Sequence, residues 1–223
     1  VIEAIRGRSG APIVVGGSGL YLRALLQGLF RGPERDEALR AELTSRIERE
    51  GLDALREELR RVDPEAHAAI SPGDPVRVIR ALEVHRLTGE TITALRRTKA
   101  GASMDALRFG IRWERSALAR RIADRIQDQI RRGFLEQARA LAARGIAEGA
   151  PGPRTLGYRE LLAHLAGAGT LESALETIAL RTRQLAKRQE TWFRKEPDTV
   201  WFTIESAAEF PRVARAIADA AER

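Results

Sequence analysis

The chain has 223 residues, of which 43% are hydrophobic and 31% are charged. This composition excludes a disordered or low-complexity protein and provides a core for one medium domain, with or without a small added lobe. There is no cysteine, which excludes disulfides, cysteine-based zinc sites and thiol catalysis. No apolar run approaches the roughly 18–20 residues that a membrane span needs, so we expect no membrane partner.

The basic residues outnumber the acidic ones by 38 to 31, a net charge of +7. Nearly all of the basic residues are arginines, which suits phosphate recognition but equally fits a general bias of composition. Residues 181–195 hold six basic residues against the single acid Glu190. Such a local basic stripe beside an otherwise balanced surface is typical of a contact with a polyanion.

The first residues predict a short helix, a strand and a glycine turn. Val1–Ile5 has the pattern of the middle or end of an amphipathic helix, and Pro12–Val15 is a short apolar strand. Ser18 is expected to cap a helix that runs to about Leu29. A lone central strand needs neighbours and few strand candidates follow, so we expect this chain to be the C-terminal part of a longer protein.

Residues 36–104 are predicted to form consecutive charged helices with no strand, which indicates a helical insertion. Asp36 opens the first of these helices, and Asp63-Pro64 begins a short one. Asp74-Pro75 places an N-cap aspartate before a proline at the first helical position.

Residues 105–223 are predicted to return to a mixed α/β pattern. Two strand candidates are separated by helices, and a last helix follows the second strand. The predicted elements are a strand at Ala106–Trp113, helices at Ser116–Arg131 and Leu171–Arg194, a strand at Thr199–Thr203 and a helix at Ala207–Glu222.

The first motif is Gly16-Gly17-Ser18-Gly19, directly after the predicted strand and at the start of a helix. Glycines let a backbone approach phosphate, and a helix N-terminus offers free N–H groups, so Gly16 and Gly17 are candidate diphosphate contacts. The hydroxyl of Ser18 is a candidate for contacting a leaving oxygen. A purely structural turn from strand to helix has the same composition, and the spacing is not that of a P-loop.

A second motif, DPVRVIRALEV, places Arg77 and Arg80 on one face of the first helical turns. Together they can hold a phosphate or a base edge. The alternative is that both are solvated and that Arg80 pairs with Glu83.

The third motif is RTLGYR, residues 154–159, in which arginines and a tyrosine flank a glycine. Tyr158 can stack on a base while Arg154 and Arg159 hold phosphates, with Gly157 between them. An ordinary loop that leads into a helix remains the alternative.

The fourth motif, TRQLAKRQETWFR, is the basic stripe itself, on a predicted helix that has too little apolar face to enter a membrane. Gln189 is a candidate for reading a base edge, and Trp192 and Phe193 are expected to anchor the helix to the core. The candidate RNA contacts of this helix are Arg183, Lys187, Arg188, Gln189 and Arg194.

The four motifs, in their order along the chain, resemble those of the tRNA dimethylallyltransferases, also called tRNA isopentenyltransferases. The first segment is PIVVGGSGLYLRALLQGL, and the third extends to RTLGYRELLAHL, so the resemblance covers essentially the whole chain. It implies transfer of the dimethylallyl group of dimethylallyl diphosphate to N6 of the adenosine just 3′ of the anticodon. The tRNAs would be those that read codons beginning with U, Mg²⁺ would assist, and diphosphate would leave.

The resemblance also implies a helix-rich α/β fold, the C-terminal part of a P-loop-kinase-like core with a helical insertion domain. Residues 1–35 and 105–223 would form the core, and residues 36–104 the insertion. Ser18 stands where the family usually has threonine, beside the leaving diphosphate and the target amine, and Arg125 matches an arginine near the diphosphate. The tRNA anticodon stem-loop would contact the segments that hold Arg77 and Arg80, residues 154–159, and residues 187–194.

The sequence departs from the family pattern in lacking the N-terminal P-loop and the aspartate proposed as general base. We therefore expect an incomplete fragment of a bacterial-type, cytoplasmic, monomeric enzyme, with no metal ligand or protein partner predicted. The isolated histidines have no metal-ligand spacing. The alternatives are a non-catalytic RNA-binding module or degenerate remnant and, on the glycine turn alone, a small-molecule phosphotransferase.

Overall fold

A computed structural model describes residues 1–28, 30, 32–98, 104–145 and 155–221. These residues form two compact units, one made of Val1–Gly19 with Leu107–Arg223 and the other of Leu20–Ala106. In chain order the elements are α1 (Ile2–Arg6), α2 (Gly19–Gln27), α3 (Glu37–Glu50), α4 (Leu52–Val62), α5 (Pro64–Ala69), α6 (Pro75–Thr88), α7 (Ile92–Arg97), β1 (Arg108–Trp113), α8 (Arg115–Arg131), α9 (Phe134–Ala143), α10 (Tyr158–Leu165), α11 (Leu171–Phe193), β2 (Thr199–Ile204), a 3₁₀ turn at Ala207–Glu209 and α12 (Phe210–Ala221).

The helix starts predicted at aspartates are confirmed. The side chain of Asp36 accepts a hydrogen bond from the Leu39 amide at 2.8 Å, and that of Asp63 accepts one from Ala66 at 2.9 Å. Asp74 does the same for the Arg77 amide at 3.1 Å. Each carboxylate satisfies an amide that the first helical turn leaves without a partner, which fixes where α3, α5 and α6 begin.

The helical unit, Leu20–Ala106, has its own core. It is formed by leucines of α3 and α4 that pack against the apolar side of α6. Leu43, Leu55, Leu59 and Leu82 are fully buried. The insertion was predicted to start at residue 36, but the unit begins earlier, at Leu20. Within it, the Met104 amide donates a hydrogen bond to the Leu26 carbonyl oxygen at 2.8 Å. This hydrogen bond ties α2 to the far end of the unit.

The other unit is built on a parallel pair of strands with helices between them. β1 pairs with β2 in a register that runs from Arg108 opposite Thr199 to Trp113 opposite Ile204, which confirms both strand predictions. A parallel pair needs a long crossover, and here α8, α9, α10 and α11 provide it. The core of these helices contains Ile122, Ile126, Ala138, Leu161 and Ile178.

The strand predicted at Pro12–Val15 is wrong. This segment has no regular structure, and Ile13 and Val15 are 84% and 90% exposed. A strand exists only by pairing, and the two described strands pair with each other. Among the described helices, none combines the length and apolar character that crossing a bilayer requires.

Candidate functional site

The Gly16–Gly19 turn lies directly on the C-terminal part of α11. The Gln189 side-chain amide donates a hydrogen bond from Nε2 to the Gly17 carbonyl oxygen at 3.1 Å. A Cβ added to Gly17 would lie 2.4 Å from that nitrogen. Glycine at this position therefore allows the helix side chain to reach the turn backbone.

One helical turn further along α11, the indole of Trp192 supports Gly19. A Cβ at Gly19 would lie 2.2 to 2.5 Å from three indole carbons, Cε3, Cδ2 and Cε2, so only a glycine fits there. Phe193 meets the indole edge-on, with ring centroids 4.9 Å apart. The sequence predicts that Trp192 anchors the helix to the core, whereas the contact described here is with the turn.

The alternate residues of the turn, Gly16 and Ser18, are open. Nothing lies within 4 Å of a Cβ placed on Gly16. Ser18 is exposed, and its hydroxyl makes no hydrogen bond with any residue that the structure describes. Packing against α11 thus explains the glycines at positions 17 and 19, whereas Gly16 and Ser18 are exposed.

The basic stripe along α11 is only partly neutralised. Arg183, Lys187 and Arg188 are exposed and form no ion pair with a described residue. Arg194 differs, because its guanidinium contacts the Glu190 carboxylate at 2.6 Å, although its side chain stays 68% exposed. From here on, the name basic stripe is narrowed to the three of these residues without an ion pair to a described residue, Arg183, Lys187 and Arg188.

In the RTLGYR motif, where Tyr158 was predicted to stack on a base, Gly157 and Tyr158 make contacts within the protein. The Gly157 amide donates to the buried carboxylate of Glu160 at 2.8 Å, and Arg181 pairs with the same carboxylate. Burial alone would raise the pKa of Glu160, but the amide and guanidinium partners outweigh it and lower that pKa. These contacts fix the start of α10.

Tyr158 and Gly157 both pack against α9. The Tyr158 hydroxyl donates to Oε1 of Gln137 at 2.6 Å, and its ring meets Phe134 edge-on at a centroid distance of 5.0 Å. A Cβ on Gly157 would lie 2.8 Å from Phe134. The geometry therefore matches the structural alternative for these two residues, and their tRNA contacts stay predictions.

The two arginines of the same motif differ in what can be said of them. Arg159 is 60% exposed on its side chain and lies 3.6 Å from the Glu160 carboxylate, so it can reach a ligand in solution. Arg154 lies outside the residues that the structure describes.

On α8, Arg125 is exposed and makes no ion pair with a described residue, and the structure gives it no hydrogen bond to the Gly16–Gly19 turn. Its neighbour Arg121 stacks over the Trp113 ring at 4.7 Å, a cation–π contact. Glu114 caps the helix through the Ser116 and Ala117 amides instead of pairing with Arg121. Arg125 is thus available to a ligand, as are the exposed Arg115 and Arg120 of the same helix, which also form no ion pair with a described residue.

In the helical unit, Arg77 and Arg80 have different surroundings. Arg77 is 69% exposed and lies 3.3 Å from Asp74. Arg80 contacts the fully buried Glu83 at 2.6 Å and donates to the Pro33 carbonyl, so the pairing left open by the sequence is the one observed. Its predicted tRNA contact is untested and would compete with this buried partner.

Glu83 is the centre of that buried cluster. It also accepts hydrogen bonds from Arg40 at 2.8 Å and from the Asp36 amide at 3.0 Å. Burial alone would raise its pKa, but these donors together lower the pKa of Glu83 to about 2. The carboxylate therefore stays ionised at neutral pH inside the helical unit.

The described residues do not by themselves assemble a metal site. Among the described residues, no group of three histidine, aspartate or glutamate side chains could hold a metal ion. The open turn offers one hydroxyl, that of Ser18, whereas Mg²⁺ prefers several oxygen ligands. We assign no chemical step to a metal held by these residues.

Comparison with known proteins relates this architecture to a family. The family model described as IPP transferase matches residues 1–196. This chain belongs to the IPP transferase family. The match includes the Gly16–Gly19 turn and all of α11, the two segments that the structure brings together.

Curated relatives carry the same kind of name. The chain is 41% identical over 202 residues to a tRNA dimethylallyltransferase of Geobacter metallireducens and covers 65% of that protein. It is 40% identical over 215 residues to the tRNA dimethylallyltransferase of Geobacter sulfurreducens and covers 68% of it. The alignments include 90% and 96% of this chain, so it spans about two thirds of the length of these family members.

Solved structures of the family share the fold. The full-length tRNA isopentenylpyrophosphate transferase of Bacillus halodurans superposes with a TM-score of 0.62 at 34% identity, covering 98% of this chain and 69% of that one. A eukaryotic dimethylallyltransferase described as acting on tRNA gives a TM-score of 0.70 at 28% identity, covering 97% of this chain and 57% of that one. The helix-rich α/β class predicted from the sequence is thereby confirmed.

Sequence reasoning missed the two contacts that assemble the site, from Gln189 to Gly17 and from Trp192 to Gly19. Their partners lie more than 170 residues apart in the chain, and no local pattern reports such a pairing. One available signal is the alternation of Gly17, Ser18 and Gly19. Glycines at alternate positions indicate close packing against one side of an extended turn.

Proposed function

We propose that this chain carries the tRNA-binding side and the Ser18 turn of a tRNA dimethylallyltransferase. The reaction would move a dimethylallyl group from dimethylallyl diphosphate to N6 of the adenosine just 3′ of the anticodon, in tRNAs that read codons beginning with U. Family membership and the names of the relatives support this proposal. The observation that carries it is the contact of Gly17, which lies between the open residues Gly16 and Ser18, with the helix that bears the basic stripe.

The chemistry needs an anion-binding side and an RNA-binding side next to each other. As N6 forms its bond to C1 of the dimethylallyl group, the bond from C1 to the diphosphate oxygen breaks, and N6 gives up a proton. Negative charge develops on the leaving diphosphate, where the Ser18 hydroxyl, the Gly16 and Gly17 backbone and the α2 N-terminus would stabilise it. Arg125 is a further candidate for this charge.

On the RNA side, the basic stripe would hold phosphates of the anticodon stem-loop, with Arg159, Arg77 and Arg194 as further candidate contacts. Phosphate contacts position an RNA without reading its sequence. The target adenine would have to leave its stack to reach a donor bound at the turn.

We further propose that turnover needs the P-loop and the general base that the resemblance assigns to other members of the family. Mg²⁺, when bound with the diphosphate, would supply additional charge compensation. We place the reaction in the cytoplasm, with the protein acting as a monomer.

The first experiment measures binding of a fluorescent anticodon stem-loop to the 223-residue chain over a range of salt concentrations. Replacing Lys187 with Gln should weaken binding and reduce the slope of log K against log salt by about 1. The matched control is Arg139→Gln, which removes one exposed positive charge from a different helix, α9. Equal effects of the two substitutions would contradict a specific role for the stripe.

The second experiment measures isopentenyladenosine formation by the chain alone and by a version extended at its N-terminus with the family's P-loop segment. We expect product only from the extended version. Product from the chain alone would refute the need for the added segment. RNA binding without product from either version would favour the non-catalytic RNA-binding module instead.

A further inference from the structure

The hydrogen bond between Gln189 and Gly17 fixes the orientation of the glutamine side chain. A carbonyl oxygen only accepts hydrogen bonds, so the NH₂ end of the Gln189 amide must face Gly17. Reading an adenine edge in the usual bidentate way needs both ends of an amide side chain. With its nitrogen at the turn, Gln189 is placed to hold protein backbone rather than to read a base.

Gln189 and Trp192 act on the turn together. They lie three residues apart on α11 and therefore on the same face of the helix. The first holds Gly17 by a hydrogen bond, and the second supports Gly19 with its ring. Ser18 lies between these two fixed points and is exposed, so its position follows from theirs.

We propose that Gln189 is a positioning residue that holds the turn so that Ser18 is presented to the reacting groups. This rests on the proposed function, in which Ser18 lies beside the leaving diphosphate. Lys187 and Arg188 directly precede Gln189 on the same helix, so the element that binds RNA also sets the position of the Ser18 hydroxyl.

The contact has a spectroscopic signature at Gly19. The near-equal distances from the added Cβ position to Cδ2, Cε2 and Cε3 place that position over the face of the indole, because Cδ2 is a ring-fusion carbon. One α-hydrogen of Gly19 therefore points at the ring face, and its NMR signal is expected well upfield of an ordinary glycine. Displacing the turn would move this signal back toward the ordinary position.

The test compares Gln189→Asn with Lys187→Gln in protein labelled with ¹³C-glycine. Asparagine keeps the amide but is one methylene shorter, so the Gly19 signal should move downfield. In a version that shows turnover, kcat should fall at least tenfold while KM for the RNA stays within about twofold. Lys187→Gln should instead leave the Gly19 signal in place and weaken RNA affinity.

A second variant, Gln189→Glu, uses pH as a switch. The charged carboxylate cannot donate to the Gly17 carbonyl, but the protonated acid can. The Gly19 signal of this variant should therefore return toward its wild-type position as pH is lowered from 7 to 4.5, while that of the wild type stays constant.

The outcomes separate this proposal from the proposed function. If Gln189→Asn weakens RNA affinity but leaves the Gly19 signal and kcat unchanged, Gln189 reads the RNA and the positioning role is overturned. If no version turns over, the proposed function fails. The Gly19 signal then still tests whether Gln189 positions the turn. A signal that does not move in either Gln189 variant refutes the positioning role.

Discussion

Within the Gly16–Gly19 turn, neighbouring residues face different surroundings, which makes their substitutions separable. Gly19 has no room for a methyl group above the Trp192 indole, whereas Gly16 has open space. A side chain at Gly19 would disturb the fold locally. One at Gly16 would disturb only a ligand that approaches the backbone.

We therefore predict that Gly16→Ala leaves the melting temperature unchanged but weakens binding of inorganic diphosphate by roughly tenfold, about 1.4 kcal/mol. Gly19→Ala should instead lower the melting temperature, because the rigid indole has to move. Calorimetric titration and thermal unfolding of both variants check this. Unchanged diphosphate binding in Gly16→Ala would remove Gly16 from the diphosphate site.

The buried carboxylate of Glu83 makes the stability of the helical unit depend on pH. Its pKa of about 2 lies below the ordinary value of 4.5, so the stabilisation is fully present above pH 4.5 and is lost as the pH falls toward 2. The shift corresponds to about 3 kcal/mol of free energy of unfolding. Urea unfolding of the chain between pH 6 and pH 3 should show the decline.

Glu83→Gln provides the control for this pH dependence. The amide keeps the size of the side chain but leaves Arg40 and Arg80 without their charged partner, so we expect a less stable protein already at pH 7. Its stability should also vary less between pH 6 and pH 3. A wild-type pH profile in this variant would assign the dependence to other carboxylates.

At the scale of the element, the start of α10 depends on Gly157. Its φ of +100° is a conformation that other residues adopt only with strain, and a Cβ would also meet Phe134. Gly157→Ala should destabilise the chain by about 2 kcal/mol. The matched control is Gly167→Ala, where φ is +87° but no atom lies within 4 Å, so only the backbone cost of about 1 kcal/mol remains.

Thermal unfolding of Gly157→Ala and Gly167→Ala measures how much more stability the first substitution removes than the second. An equal loss in both would mean that Phe134 yields freely. In that case, the contact with Phe134 would not be what requires glycine at position 157.

The elements that the sequence predicted well are those set by local chemistry. Aspartate caps at Asp36 and Asp74 define helix starts within three residues, and alternation over Ala106–Trp113 was sufficient to find β1. Pro12–Val15 is a continuous apolar run, but a strand needs a pairing partner, and that is not a local property. In the candidate site, too, local features could be predicted and contact partners could not.

For the site, the sequence identified which residue types carry chemistry but not what they touch. Arg183, Lys187 and Arg188 are exposed, as a polyanion contact requires. Arg181 carries the same charge but pairs with Glu160, 21 residues away, and only the folding of α10 against α11 decides this. Tyr158 likewise finds Gln137 only through the packing of α9 on α10.

At the scale of the whole molecule, the charge excess is concentrated rather than spread. The net charge is +7, and the helical unit neutralises many of its arginines internally, as Arg46 and Arg86 do with Glu58. The basic stripe, in contrast, exposes positive charges that no described residue neutralises. A polyanion would be drawn toward that helix before any specific contact forms.

The parallel pairing of β1 with β2 has a consequence for how the chain folds. The paired residues Arg112 and Thr203 lie 91 positions apart, and closing a loop of that length costs about 4 kcal/mol of chain entropy. Six residue pairs alone do not recover this cost, so the strands meet only after α8 to α11 have shortened the distance between them. We therefore expect the sheet to form after these helices, and its amides should exchange with solvent whenever the intervening helices open.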